Sequence, residues 1–253
     1  MRRFLFVLLA STPVLAFGQG LSFVSPDAPG SSVYPVSRGL VGAYFFGTSE
    51  KNPLKNWAPG GAPLTPVGSP TMNANSVTVG NNILYTTGLL ETDSFTLVAV
   101  YKKTNAVTQT AVIGNRNADA AVTSTGSCIV KYNATSRVEA GDNNGTTASS
   151  IDTSAIPDGT YYFAAIAFDA GVKSVRNFFA YNGAVTTASA PMTWTRQVEP
   201  AIPWGVGPRA DLAWKNPVDI SAAAFHTVAL TDAELTKVYN ALRAKYAKVG
   251  INI

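Results

Sequence analysis

Residues 160–183 read TYYFAAIAFDAGVKSVRNFFAYNG, and the reading of this stretch decides the fold. Positions 161–168 are apolar throughout, the pattern of a strand covered on both faces. Asp169-Ala170-Gly171 supplies a turn, because glycine takes positive φ without strain. Residues 174–181 then alternate, with Val175, Asn177, Phe179 and Tyr181 on one side and Arg176 and Phe178 on the other. Asn182-Gly183 closes the strand with a second turn signal. A hairpin this apolar is not stable alone in water and requires a second sheet across it.

Further strands are predicted on both sides of this hairpin. Residues 40–46 (LVGAYFF) and 95–102 (FTLVAVYK) are apolar runs of strand length, and 110–114, 128–132 and 137–140 are shorter ones. Weak strand signals lie at 76–79 and 83–85. Residues 141–150, GDNNGTTASS, read as loop. A strand is expected at 192–196 around Trp194, a short one at 204–207, and a long final strand at 220–230. One helix is expected, over 231–248. Thr231-Asp232-Ala233-Glu234 is a capping box, and Leu230 and Leu235 form its hydrophobic staple. Leu235, Val238, Tyr239, Leu242 and Tyr246 recur at helical spacing as one apolar stripe. The expected architecture is an all-β antiparallel sandwich over 39–253, with the C-terminal helix packed on its edge or end.

Composition agrees with a single large β domain of 253 residues. Only 13% of residues are charged and 46% are hydrophobic, enough for a sizeable core. The net charge of +4 is mild and no basic run is interleaved with aromatics, which argues against nucleic acid as a partner. The one cysteine, Cys128, excludes an intrachain disulfide and reads as a buried thiol in a short strand.

The N-terminus is of a different kind. Arg2 and Arg3 precede an apolar run from Phe4 to Leu9, and Ala16-Phe17-Gly18 fits a small-x-small cleavage site. Residues 1–18 are therefore either a signal-peptide-like segment or a retained apolar docking arm. Residues 19–38, with Pro26, Pro29 and Pro35, read as an extended linker rather than core.

The succession GLVGAYFF, FTLVAVYK, AVIGNR, GTYYFAAIAFD, VRNFFAYNG and ISAAAFHTVALTDAEL resembles the concanavalin A-like jelly rolls of the laminin-G type, over about residues 39–249. The ending LTDAELTKVYNALRAKYAKVGI is also similar to the tails of jelly-roll proteins of bacteriophages and prophages. The resemblance implies the jelly-roll sandwich, sugar or glycoprotein binding, calcium in some members, and glycan cleavage in some branches.

Catalytic arrangements are wanting. The carboxylate strand of glycan-cleaving relatives has its nearest counterpart in Glu91-Thr92-Asp93-Ser94-Phe95-Thr96, whose third acid is replaced by Thr96. Glu91 and Asp93 read as turn chemistry on the approach to a strand. His226, the only histidine, lies in the final strand with Ile220, Ala222, Ala224 and Val228 on its face, and reads as a satisfied sheet residue. No nucleophile elbow, phosphate loop or dinucleotide turn accompanies it.

Binding sites are better supplied. A sugar requires a flat aromatic for its apolar face and polar side chains for its hydroxyls. Trp194, Trp204 and Trp214, with Arg196, Arg209, Asp211 and Asn216 close in sequence, are the candidate glycan-binding residues. Against that stands a core role for some of the tryptophans. Glu139, Asp142, Asn143 and Asn144 offer hard oxygens for calcium, though without the spacing of a known loop. Asn115-Arg116-Asn117 is a further polar cluster. The sequence therefore leads to a non-enzymatic virion module, tail- or fibre-associated, that meets other virion subunits or itself through the N-terminal arm and binds host glycans. The alternatives are a secreted or envelope-tethered bacterial lectin-like domain and, third, a glycan-cleaving enzyme.

Overall fold

The computed structural model describes residues 34–103, 109–117, 124–208 and 214–253. The apolar segment 1–18 and most of the expected linker lie outside the described residues. Two antiparallel sheets face each other. The first holds β1 (Leu40–Phe45), β3 (Thr71–Met72), β4 (Val77–Val79), β6 (Phe95–Lys102), β11 (Tyr161–Asp169), β12 (Ser174–Tyr181), β13 (Ala184–Pro191) and β15 (Val218–His226). Its order is β13-β12-β11-β6-β15-β4-β3, with β1 beside β4 along the same flank of β15. The second holds β2 (Thr65–Val67), β5 (Leu84–Thr86), β7 (Gln109–Gly114), β8 (Ser127–Tyr132), β9 (Thr135–Asp142), β10 (Gly145–Asp152) and β14 (Gly205–Val206). Its order is β10-β9-β8-β7-β14-β5-β2. Helix α1 (Asp232–Ala247) follows β15, and the whole is a jelly-roll sandwich with a C-terminal helix.

The doubly apolar strand β11 has two cores to fill. Tyr162, Ala164, Ile166 and Phe168 point between the sheets, where Phe95, Tyr101, Trp204 and Phe225 also pack. Phe163 and Ala165 point outward, into a second core beneath α1. The helix therefore lies on the outer face of the first sheet, not on its edge or end as the sequence suggests. The reason is compositional. Ala43, Ala165, Ala180, Ala222 and Ala224 line that face with small side chains, which lets Leu235, Val238, Tyr239, Leu242 and Tyr246 settle on it. Burying each of these stripe residues contributes roughly 1.5–3 kcal/mol. The N-cap is as read: Thr231 Oγ1 accepts from the Glu234 N–H and Glu234 reaches back to the Thr231 N–H at 2.8 Å. Tyr239 then fastens the helix to its surroundings, its hydroxyl accepting from the Gly183 N–H and donating to the Ile253 carbonyl. Gly183 lies in the Asn182-Gly183 turn, with φ of 47° and 85°. Between the sheets, the buried Asn177 of β12 donates to the carbonyls of Ser136 in β9 and Ser149 in β10.

Several sequence expectations are corrected. Residues 141–150 are not loop: β9 turns at Asn143-Asn144 into β10. Residues 192–196 form no strand, and the strand before them is β13. The last strand ends at His226, and residues 227–230 connect it to the N-cap. A bulge between Ile220 and Ala222 turns Ile220 into the inter-sheet core, off the face that holds His226. In the β11–β12 turn it is Lys173, not Gly171, that takes positive φ, at 49°. The end of the expected linker is packed rather than free. Val36 is buried against the helix-side core, Tyr34 packs on it, and Arg38 pairs with Glu234 at 2.6 Å.

Candidate polar and aromatic site on the second sheet

Strand alternation places Val138 and Ala140 of β9 in the inter-sheet core, so Arg137 and Glu139 face outward. The Glu139 side chain is nevertheless fully covered. Arg116 Nε lies 2.9 Å from one carboxylate oxygen and Arg137 Nε 2.6 Å from the other. Burial pushes the Glu139 carboxyl up from the usual range, against the pull of the two guanidinium groups. The cover comes from the chain after β7. Arg116 crosses the face and donates to the hydroxyls of Ser124 and Thr146. Gly141 permits this crossing, since a Cβ there would lie 2.0 Å from the Ser124 carbonyl oxygen.

Aromatic side chains complete the surface. The Arg116 guanidinium lies 5.1 Å from the Trp214 ring centre, and the Arg137 guanidinium 5.0 Å from that of Tyr132. Trp214 and Tyr132 meet edge to face at 5.9 Å, and both are half-buried. Glu139 thus fixes two guanidinium groups, and each fixed guanidinium positions an aromatic ring. The surface offers partly open rings with charged donors beside them, which is the chemistry required by a sugar's apolar face and hydroxyls. Cys128 lies buried beneath the same cluster, where burial pushes its thiol well up.

The other sequence candidates go elsewhere. Trp204 is wholly buried and stacks on Phe225 at 5.6 Å, so it is core and not a platform. Arg196 belongs to a buried ion pair. Its guanidinium lies 2.5 Å from Glu91, donates to the Gly141 carbonyl at 3.1 Å, and lies 5.4 Å from the rings of Phe95 and Phe168. Glu91 also accepts from the Ser127 hydroxyl and the Glu199 N–H. The turn reading of Glu91 is therefore replaced: it ties the approach to β6, the start of β8 and the segment after β13 together at one end of the sandwich. Burial pushes the Glu91 carboxyl up and the Arg196 guanidinium down. Asp93 is exposed.

Trp194 is 50% exposed but stands near the β9–β10 turn, where Thr195 and Asn143 exchange hydrogen bonds. Trp214 adjoins Tyr132, next to the start of β9, so the two tryptophans lie toward opposite ends of a strand about 25 Å long. Asn216 stays near Trp214 and donates to the Gln109 carbonyl. Arg209 and Asp211 lie outside the described residues.

The four proposed calcium ligands do not converge. Glu139 is held by two arginines, whose charge opposes a cation. Asp142 is buried and accepts from the Asn144 N–H and the Thr147 hydroxyl, and Asn143 is committed to Thr195. Among the described residues no group of three or more acidic, histidine or cysteine side chains could hold a metal ion. His226 is wholly buried, with its ring nitrogens 2.9 Å from the Arg38 carbonyl and 3.1 Å from the Tyr34 hydroxyl. The role of Arg116 was the hardest to read from sequence. The signal available was Arg137-x-Glu139, opposite charges two apart on one strand face.

No family model matches the chain, and no curated protein sequence matches it. Solved structures do match in fold. The receptor binding domain of botulinum neurotoxin C/D mosaic serotype superposes with a TM-score of 0.61 at 12% identity, over 81% of this chain and 52% of that one. The serotype D ligand binding domain in complex with N-acetylneuraminic acid gives 0.60 at 11% identity, over 81% and 51%. The chain thus spans about half the length of these solved chains, and what it shares with them is the architecture of a lectin-like β-sandwich.

Proposed function

We propose that the chain is a non-enzymatic jelly-roll module of a phage virion, tail- or fibre-associated, that binds host surface glycans on the outer face of its second sheet. The observation that carries the binding is the Trp214–Tyr132 pair, held half-buried beside guanidinium groups that Glu139 fixes. A pyranose ring stacks on such a surface through its C–H face while Arg137, the more exposed of the two arginines, donates to its oxygens. The sialic-acid complex of a structural neighbour supports a glycan as ligand for this architecture. The virion setting is supported by the resemblance of the closing helix to phage jelly-roll proteins. One observation favours a second setting: Arg2-Arg3 before an apolar run suits an exported, lectin-like domain of a bacterial envelope.

The test is a glycan array followed by calorimetry on the best sugar. Trp214→Ala is expected to weaken binding by about tenfold or more, the loss of one aromatic stack of roughly 1.5 kcal/mol, while Trp194→Ala leaves it unchanged. Loss on the Trp194 change alone, or cleavage of the bound glycan by the wild-type protein, overturns the reading. Mass spectrometry of purified particles separates the settings, since only the virion reading places the chain among particle proteins.

A further inference from the structure

The two sides of the sandwich end very differently. On one side the edge strands are β3, of two residues, β2, of three, and β1, of six, whose free flank is covered by hydrogen bonds from Asn56 and Trp57. On the other they are β10 and β13, of eight residues each. Long edges invite pairing with another chain, and proteins usually blunt them with charge, proline, bulges or cover. β13 reads AVTTASAP: it carries no charge, its one proline comes last, and it pairs with β12 without a bulge. Nothing covers it. Only Ala188 and Ala190 are even partly shielded, and Val185 is 42% exposed.

The register fixes which backbone groups are open. Tyr181 and Ala184 close the two-residue turn, so Ala184, Thr186 and Ala188 direct their N–H and C=O toward β12, and Val185, Thr187 and Ser189 direct theirs away. No other backbone group of the described residues bonds to these three. We infer that β13 is a docking edge for β13 of a second copy of this chain, antiparallel about a two-fold axis at Thr187. In that arrangement Val185 faces Ser189 and Thr187 faces its own mate, forming three hydrogen-bonded pairs and about six hydrogen bonds. Self-pairing brings no like charges together, because the strand has none. A foreign strand would be selected by pockets beside the edge, and β13, exposed on its outer face and with only Ala188 set against the inter-sheet core on its inner one, shows none among the described residues. The short β2 and β3, and β1 with its flank covered by Asn56 and Trp57, give no matching edge for head-to-tail growth, so the assembly closes as a dimer. This inference is independent of the glycan reading and would double the presented sites.

The experiment is sedimentation over a wide concentration range, with cysteine cross-linking of the full chain. The wild-type protein is expected to show a concentration-dependent dimer. Thr187→Cys is expected to cross-link on oxidation, since facing residues of a hydrogen-bonded pair stand about 5.5 Å apart at Cα, within disulfide reach. Thr186→Cys, directed off the axis and onto the other face, is expected not to. Native Cys128 is buried and does not interfere. Thr187→Pro removes an outward N–H and is expected to abolish the dimer with the thermal midpoint nearly unchanged. Should that variant misfold, Thr187→Lys, which places two charges on the axis, is expected to abolish it without touching the backbone. A wild-type protein monomeric at every concentration, equal cross-linking at both positions, or a dimer that survives Thr187→Lys overturns the inference.

Discussion

At the scale of single residues, the interior is governed by a few charges that cannot be left alone. Glu91 has no exposed side-chain surface, and the Arg196 side chain is 10% exposed. Replacing Glu91 with Ala leaves a guanidinium buried among Phe95 and Phe168, and is expected to cost about 3–5 kcal/mol in denaturant unfolding. Asp93→Ala, two positions away and exposed, is expected to cost almost nothing. Equal effects of the two would show that Glu91 is the turn residue its sequence suggests. The pair is illegible in sequence for a simple reason: 105 positions separate its members, and nothing local to either announces the other. His226 makes a pH prediction. Burial lowers its pKa to about 4 from 6.5, with the Arg38 carbonyl opposing the shift and the Arg38 and Glu234 charges as its ionic neighbours. Between those values the unfolded chain holds a proton that the folded chain does not. The contribution of His226 to stability is therefore full above about pH 6.5, is lost as pH drops, and is gone below about 4, a loss on the order of 3 kcal/mol. Thermal unfolding as a function of pH checks this: His226→Gln is expected to flatten the profile between those limits, and an unchanged slope would acquit the histidine.

Elements show where local chemistry suffices and where it does not. The strand at Phe95–Lys102 and the helix from Thr231 onward are legible because hydrophobic period and capping residues are local signals. β10 and β13 are misread because edge strands have little core to face; Ile151 and Ser149 are the only buried members of β10, and Thr, Ser and Ala make up most of both strands. Their composition imitates a loop while their pairing makes a sheet. The same logic gave Trp214 and Glu139 as separate candidates but not the Arg116 that joins them, because its approach depends on a chain crossing at Gly141. The helix supplies the quantitative test at this scale. Leu235→Ala and Leu242→Ala are each expected to destabilise by about 2–4 kcal/mol, since both are buried against the first sheet. Thr231→Ala is expected to cost about 1 kcal/mol for its cap. Calorimetric or denaturant midpoints decide it, and near-zero losses at both leucines would mean that α1 does not seal that face.

At the scale of the whole molecule, the two sheets do different work. The first is covered on both faces along its central strands, by the second sheet on one and by α1 on the other, and acts as the rigid base. The second leaves its outer face to arginines and aromatic rings, the surface on which the proposed glycan would lie. That division was legible as a fold class but not as a division of labour, since it depends on which face the helix chooses. The position of β15 carries one more consequence. This strand, residues 218–226, lies between β6 on one flank and β1 and β4 on the other, so partners from the first two-fifths of the chain are joined through a piece of its last seventh. A ribosome making the protein cannot complete the first sheet until nearly all of the chain has emerged. Until then β1 and β6 are synthesised strands with open flanks, prone to adhere to one another or to a neighbouring nascent chain. Folding is accordingly a late, all-at-once event dominated by distant contacts, slow by the standards of helical proteins of the same size, and the cell must shield the growing chain until its final strand arrives.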